Sequence, residues 1–451
     1  MLVFVAFAQY AGATTETSTS AEMTQSEAQS IAAQLSRQFV DQLFELRAIS
    51  EQLTGASNKV RVKDEEGDSD DSAAKLVNKA AHDIRPIIKE FANIVGSALP
   101  VGPAHQLAKS AADAVDTLMP PTLHVFGDSL SDIGRLKSLT FGLIPPAVYW
   151  NGRFSSGPVW NEYLALLLNA NLDNHAVGLA KAWTVHHKLL GVFPLEPPAS
   201  YDQITEFADK TSNYSSTKLN ELDIAILEIG ANDAQAALVD ISKGTQTVYE
   251  FAQYLSDTVI EQLQMIHKIG FKNILVLGLP ALQHTPIVIA KNRANVAEVL
   301  VNVYNKMLSD KSLAWAQSAN LKMFDVVDLD RFMRVSLDNS ITQALKVVNT
   351  ISYCINGSWL ALFEDHTYAS DFINFVFGAD SATSCPDPSA LYFFDPIHPS
   401  EQIQRLFGYY LFKHIQALQR GLTLPSISVT TLLDIIQAYK LHLPVSKPVA
   451  I

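Results

Sequence analysis

Long apolar runs are missing from this sequence. No stretch of 18 or more apolar residues occurs inside it, which argues against a membrane-spanning helix. Positive charge is scarce as well: 33 Lys and Arg face 46 Asp and Glu, a formal charge of -13, so nucleic acid is not an expected partner. Cysteine is nearly absent, with only Cys354 and Cys385 present. In an exported protein such a lone pair is read as one disulfide closing a loop, and in the cytosol as two buried thiols. The N-terminus, MLVFVAFAQYAGA at residues 1–13, has the apolar run and small residues of a signal peptide but lacks its basic n-region. It reads either as the remnant of an export signal, absent from the mature protein, or as a short frayed or buried segment. The cysteine pair favours export.

What is present is enough apolar residue, 48% of 451, to bury a large core and carry a catalytic domain with additions. Residues 14–120 are rich in Ala, Gln, Ser, Glu and Lys, with apolar residues at helical spacing (Leu35, Phe39, Leu43, Leu46; Ile84, Ile87, Ile88, Phe91, Ile94). They are expected to form a helical extension. Between its two helical segments the run KDEEGDSDDS at 63–72 does not meet the ligand pattern of a calcium loop and reads as a solvated linker. From about Pro121, strand-like runs at 123–126, 222–229, 273–277 and 323–327 alternate with helical patterns. That alternation predicts a three-layer α/β/α domain around a mainly parallel sheet, with its site at the carboxyl ends of the strands. A last helix followed by an irregular end is expected in the tail at 421–451.

Three motifs fall at predicted strand ends or near the C-terminus. LHVFGDSLSD runs a buried strand into a tight turn with Ser129 at its tip, where a hydroxyl can serve as a nucleophile. IGAND places Gly230, Asn232 and Asp233 just past a second strand; the Asn232 amide can donate to a developing oxyanion, and Gly230 allows close backbone approach. DPIHPS sets Asp395 three residues before His398, close enough for the carboxylate to orient the imidazole. Singly, these are common turn, cap and hydrogen-bond patterns. Their joint occurrence in this order is specific.

The sequence resembles the GDSL lipolytic family, the SGNH hydrolases. The resemblance is carried by GDSLSD at 127–132, NHAVGLAKA at 174–182, IGAND at 229–233 and DPIHPS at 395–400, with NGRFSSGPVWNEYLA at 151–165 and LGLPALQHTP at 277–286 as connecting blocks. It covers about residues 121–418, within a hydrolase domain taken as 121–420. It implies a flavodoxin-like α/β/α domain with Ser129 as nucleophile, His398 as general base and then acid, and Asp395 holding His398 in its tautomer. It also implies an oxyanion hole made of the Ser129 and Gly178 N–H groups and the Asn232 side chain. Relatives often read AVGGA where this chain reads AVGLA; the retained Gly178 keeps the donor, and Leu179 is expected to narrow the site.

Within the family the chain is similar to bacterial secreted phospholipases, lysophospholipases and glycerophospholipid:cholesterol acyltransferases. This implies a phospholipid or lysophospholipid substrate, an acyl-enzyme, and transfer to water or to a sterol such as cholesterol, with peripheral contact to a membrane surface. The alternative is an esterase of carbohydrate or small soluble esters. The apolar segment between Cys354 and Cys385 (Trp359, Leu360, Leu362, Phe363, Phe372, Phe375, Val376, Phe377) reads either as a lid beside the catalytic pair or as a staple over a core-packed helix. Similar loops in relatives are in some cases cut by an activating protease. His186, His187, His284 and His366 show no metal spacing, and neither a metal nor a cofactor is expected.

Overall fold

The computed structural model describes residues 120–183, 188–189, 193–194, 197–213, 219–357 and 382–443. The chain divides at Pro120/Pro121 into two units, and the second holds every described residue but Pro120. The expected helical extension, the signal remnant, the interior of the cysteine-bracketed segment and the last eight residues lie outside the described residues.

Five strands form the central sheet: β1 (Thr122–Gly127), β2 (Asn171–Asn174), β3 (Ile224–Glu228), β4 (Asn273–Leu277) and β5 (Met323–Val327). All pair in parallel in the order β2-β1-β3-β4-β5, with Leu123 opposite Ile224, Ile224 opposite Asn273 and Asn273 opposite Met323. The expected fold class is thus observed. Four of these strands coincide with the apolar runs read from sequence. The fifth, β2, does not: its NLDN stretch is a half-exposed edge with no apolar signature, and backbone pairing to β1 holds it in the sheet.

Both faces are covered because successive side chains alternate between them. Leu123, Val125, Ile224, Ile226, Leu275 and Leu277 point to one face, against helices α1 (Trp160–Leu168), α6 (Leu329–Ser336), α7 (Glu401–Gln419) and α8 (Val429–Tyr439). Phe126, Ala225, Leu227, Ile274 and Val276 point to the other, against α2 (Ser200–Asn213), α3 (Ala231–Lys243), α4 (Val248–Ile269) and α5 (Ala294–Ser318). Each fully buried aliphatic side chain contributes about 1.5–3 kcal/mol. Helix starts are set locally; Thr247, for example, caps α4 by accepting from the Glu250 N–H while the Glu250 carboxylate accepts from the Thr247 N–H. Among the described residues no helix is long and apolar enough to cross a membrane.

In this strand order the connections from β1 and β3 leave toward opposite sides, which opens a crevice at their carboxyl ends. Ser129 follows β1 and Asn232 follows β3.

Candidate active site

The turn after β1 owes its shape to its own residues. Gly127 lies opposite Glu228 in the register, and a Cβ there would stand 2.4 Å from the Glu228 carbonyl oxygen, so only glycine fits. The Gln203 side chain of α2 clamps its peptide, accepting from the Gly127 N–H and donating to the Gly127 carbonyl, both at 2.9 Å. Asp128 closes the turn by accepting at its backbone carbonyl from the Ser131 and Asp132 N–H groups and at Oδ1 from Leu130. Asp132 then gathers four backbone donors, those of Gly134, Arg135, Leu136 and Gly178. Ser129 is left at the apex, 4% exposed.

The base comes from the loop between the short strand Leu391–Phe393 and α7. His398 Nε2 lies 2.6 Å from Ser129 Oγ, and His398 Nδ1 lies 2.6 Å from Asp395 Oδ2. Asp395 is fully buried, and its carboxylate is saturated: Oδ1 accepts from the Ile397 and His398 N–H groups at 2.9 and 2.8 Å, and Oδ2 also accepts from the Tyr149 hydroxyl at 2.8 Å. Tyr149 packs edge-on to Phe154 and Phe394, and the Phe154 ring lies 5.0 Å from the His398 ring, centre to centre. Such a line of hydroxyl, imidazole and buried carboxylate can take a proton from the serine and return it to a leaving group.

Asn232 sits in the first turn of α3, whose N-terminus follows Gly230 at φ 115°. One amide hydrogen donates to the Ala180 carbonyl at 2.8 Å, which orients the group and leaves its second hydrogen to face the crevice lined by Ser129 and His398. The Gly178 N–H, expected as an oxyanion donor, is instead committed to Asp132 Oδ2 at 2.7 Å. Glycine is needed at 178 for another reason, since a Cβ there would stand 2.3 Å from the Phe154 ring. Leu179 adopts φ 65°, and its N–H has no acceptor among the described residues.

A cavity opens on Ser129, Asn232 and His398 and is otherwise walled mainly by apolar groups, among them Leu282, Phe332, Met333, Ile397 and Phe407. Beneath the nucleophile lie two acids. Burial and the neighbouring Glu228 charge raise Asp128 well above the usual carboxyl range, and burial pushes Glu228 up to about 7. The Ser131 hydroxyl donates to Glu228 Oε2 at 2.9 Å. Burial also raises Asp233 to about 6; its carboxylate accepts from the Ala182 N–H.

The structure therefore brings Ser129, Asp395, His398 and Asn232 together, and joins Cys354 to Cys385 with Cα atoms 4.9 Å apart. The base of that disulfide is tied to the histidine loop, because the Cys354 and Ile355 N–H groups both donate to the Phe394 carbonyl. His284 is half-buried in a short 3-10 turn, whereas His186, His187 and His366 lie outside the described residues. Sequence reasoning missed Tyr149, Gln203 and Glu228. The only available signal was that Tyr149 lies two residues before the NGRFSSG block.

Among curated proteins, the chain is similar to a phosphatidylcholine-sterol acyltransferase of Aeromonas hydrophila, 26% identical over 45% of this chain and 57% of that protein. It is also similar to a thermolabile hemolysin of Vibrio parahaemolyticus, 30% identical over 44% of each chain. A third relative is the secreted effector protein SseJ of Salmonella typhimurium, 30% identical over 36% of this chain and 35% of that one. The matches thus span about half the length, or less, of these relatives. The family model described as GDSL-like Lipase/Acylhydrolase matches residues 123–411, which contain β2 to β5, all of β1 but Thr122, and every side chain of the crevice, and the chain belongs to that family.

Proposed function

We propose that the protein is a serine acyl hydrolase or acyltransferase acting on phospholipid or lysophospholipid esters. The observation that carries this reading is the Ser129–His398–Asp395 line opening onto an apolar-walled cavity, which suits a fatty acyl chain better than a sugar. Ser129 Oγ attacks the ester carbonyl as its proton passes to His398 Nε2. The resulting oxyanion is held by the Ser129 N–H, the second Asn232 amide hydrogen and, in place of Gly178, the Leu179 N–H. Collapse expels the alcohol, which takes the proton back from His398. Water or a sterol hydroxyl, deprotonated in turn by His398, then releases the acyl group from Ser129.

Two further features support action at a lipid surface. Phe141 is 91% exposed, flanked by exposed Leu139 and Leu143 on the segment that follows the nucleophile turn. The disulfide is compatible with an oxidising compartment, and one relative is named a secreted effector, so export is part of the proposal. The segment bracketed by Cys354 and Cys385 is proposed as the lid, and as the place where an activating protease would act.

The test is incubation with a diacylphospholipid, a lysophospholipid and cholesterol, with Ser129→Ala alongside. Free fatty acid in the wild-type reaction alone supports the hydrolase, and cholesteryl ester adds the transferase. Release of acetate from a sugar ester with none from any lipid overturns the lipid assignment in favour of a carbohydrate esterase.

A further inference from the structure

A second histidine–carboxylate cluster lies upstream of the nucleophile, outside the crevice. His124 on β1 stands opposite Asp173 on β2 in the register, and His175 follows one residue beyond the end of β2. His124 Nδ1 and His175 Nε2 each lie 3.1 Å from the same oxygen, Asp173 Oδ2, and the three atoms all fall within 4.8 Å of one another.

Neither contact is a hydrogen bond. Although Asp173 Oδ2 is near enough, it lies off the axis that a ring N–H would use, and both nitrogens are sealed from solvent with no hydrogen-bond partner among the described residues. His124 and His175 are 94% and 91% buried, being 6% and 9% exposed, and leaving such nitrogens unpaired costs free energy. With three unpaired or partly paired donor atoms this close together, a fourth atom among them would satisfy all three groups.

We propose that this point is a divalent cation site, of the Zn2+ class, with His124 Nδ1, Asp173 Oδ2 and His175 Nε2 as protein ligands and water completing the shell. Ligands about 2.1 Å from a tetrahedral Zn2+ stand about 3.4 Å apart, so the two 3.1 Å separations need little adjustment. Two imidazoles with one carboxylate are a borderline-soft donor set, unsuited to Ca2+ or Mg2+. The surroundings fix the rings. Phe207 and Phe271 pack against His124, Phe126 stacks on His175, and Asp223 Oδ2 lies 4.0 Å from His124 Nε2. Asp173 is 45% exposed and marks the entry side.

The role assigned is structural. The cation would staple the polar edge strand β2 to β1 and anchor the start of the segment whose Asn174 donates to the Ser131 carbonyl and whose Gly178 donates to Asp132. This inference does not depend on the substrate proposed above.

The experiment uses the full chain, purified without nickel or chelator, titrated with zinc chloride and followed by calorimetry and thermal unfolding; Co2+ is substituted in parallel for its visible spectrum. Expected are one equivalent bound, a Tm raised by at least about 3 °C at a hundredfold excess over Kd, and the intense visible bands of tetrahedral Co2+. In Asp173→Asn and His175→Gln the affinity falls at least tenfold and those bands disappear. Asp173 is half-exposed on an edge strand, so its variant is expected to fold even if the buried His175 variant does not. No zinc-dependent rise in Tm for the wild type, or an equal rise in Asp173→Asn, overturns the assignment; the latter places the cation elsewhere, such as on the acidic run at 63–72.

Discussion

Two clusters flank β1, and both are made of histidine and aspartate. In the crevice, Asp395 is fully buried and accepts four donors in line, and its histidine passes the interaction on to a serine. Upstream, Asp173 is half-exposed and sits between two imidazoles whose nitrogens point beside it. Side-chain chemistry is the same in both places, and direction separates them. A donor aimed at an oxygen can fix a tautomer and move a proton, whereas unpaired nitrogens grouped around an oxygen suit the proposed cation.

The sharpest way to break this contrast is to remove the proton relay itself. Ser129→Ala or His398→Asn should lower kcat/KM on a soluble ester by about 10^4-fold or more, measured on protein whose far-ultraviolet spectrum is unchanged. Residual activity within tenfold of the wild type would mean that the in-line geometry is not the catalytic one.

A third carboxyl, Glu228, has neither saturating donors nor imidazoles and is buried beside another acid. Burial raises it to about 7 in the folded chain against about 4.5 when unfolded, so the folded state binds the extra proton. That favours folding at low pH, and the advantage is lost as pH rises from about 4.5 through 7. Relative to Glu228→Gln, the wild type should lose about 1–3 kcal/mol across that window, read from denaturant unfolding at each pH. Parallel curves for the two proteins would show that burial does not hold the proton.

Tyr149→Phe removes one of the four donors to Asp395. About a tenfold fall in kcat with KM little changed is expected, and a rise in KM alone would place Tyr149 in substrate binding instead. The smallest effect belongs to the upstream cluster: excess chelator should leave turnover of a soluble ester within about twofold. A large loss would join the two clusters into one functional unit.

Much of this arrangement was legible in the sequence, and what was not has physical reasons. β1, β3, β4 and β5 announced themselves because most of their residues are apolar and buried; β2 did not, because its NLDN stretch is mostly polar, only partly buried and held by backbone pairing at the sheet edge. Ser129, Asp395 and His398 could be read because the proposed chemistry requires those residue types in recognisable short motifs. Tyr149 and Gln203 could not, since each contacts its target across many residues of chain, at separations of 246 and 76. Nor does a sequence reveal where an N–H points, and so Gly178 was assigned a donor role that its bond to Asp132 occupies. The histidines of the upstream cluster are 51 residues apart and meet only through the β1–β2 register.

Phe154 touches both halves of the crevice. Its ring stands where a side chain at 178 would go, and it also packs against Tyr149 and the imidazole of His398. It therefore acts as a gauge block between the segment proposed to face the substrate's oxygen and the imidazole proposed to shuttle its proton. Any residue larger than glycine at 178 would be transmitted through this ring as a displacement of the base. A larger residue at 178 would meet Leu136 as well as Phe154, so the three positions are best varied together.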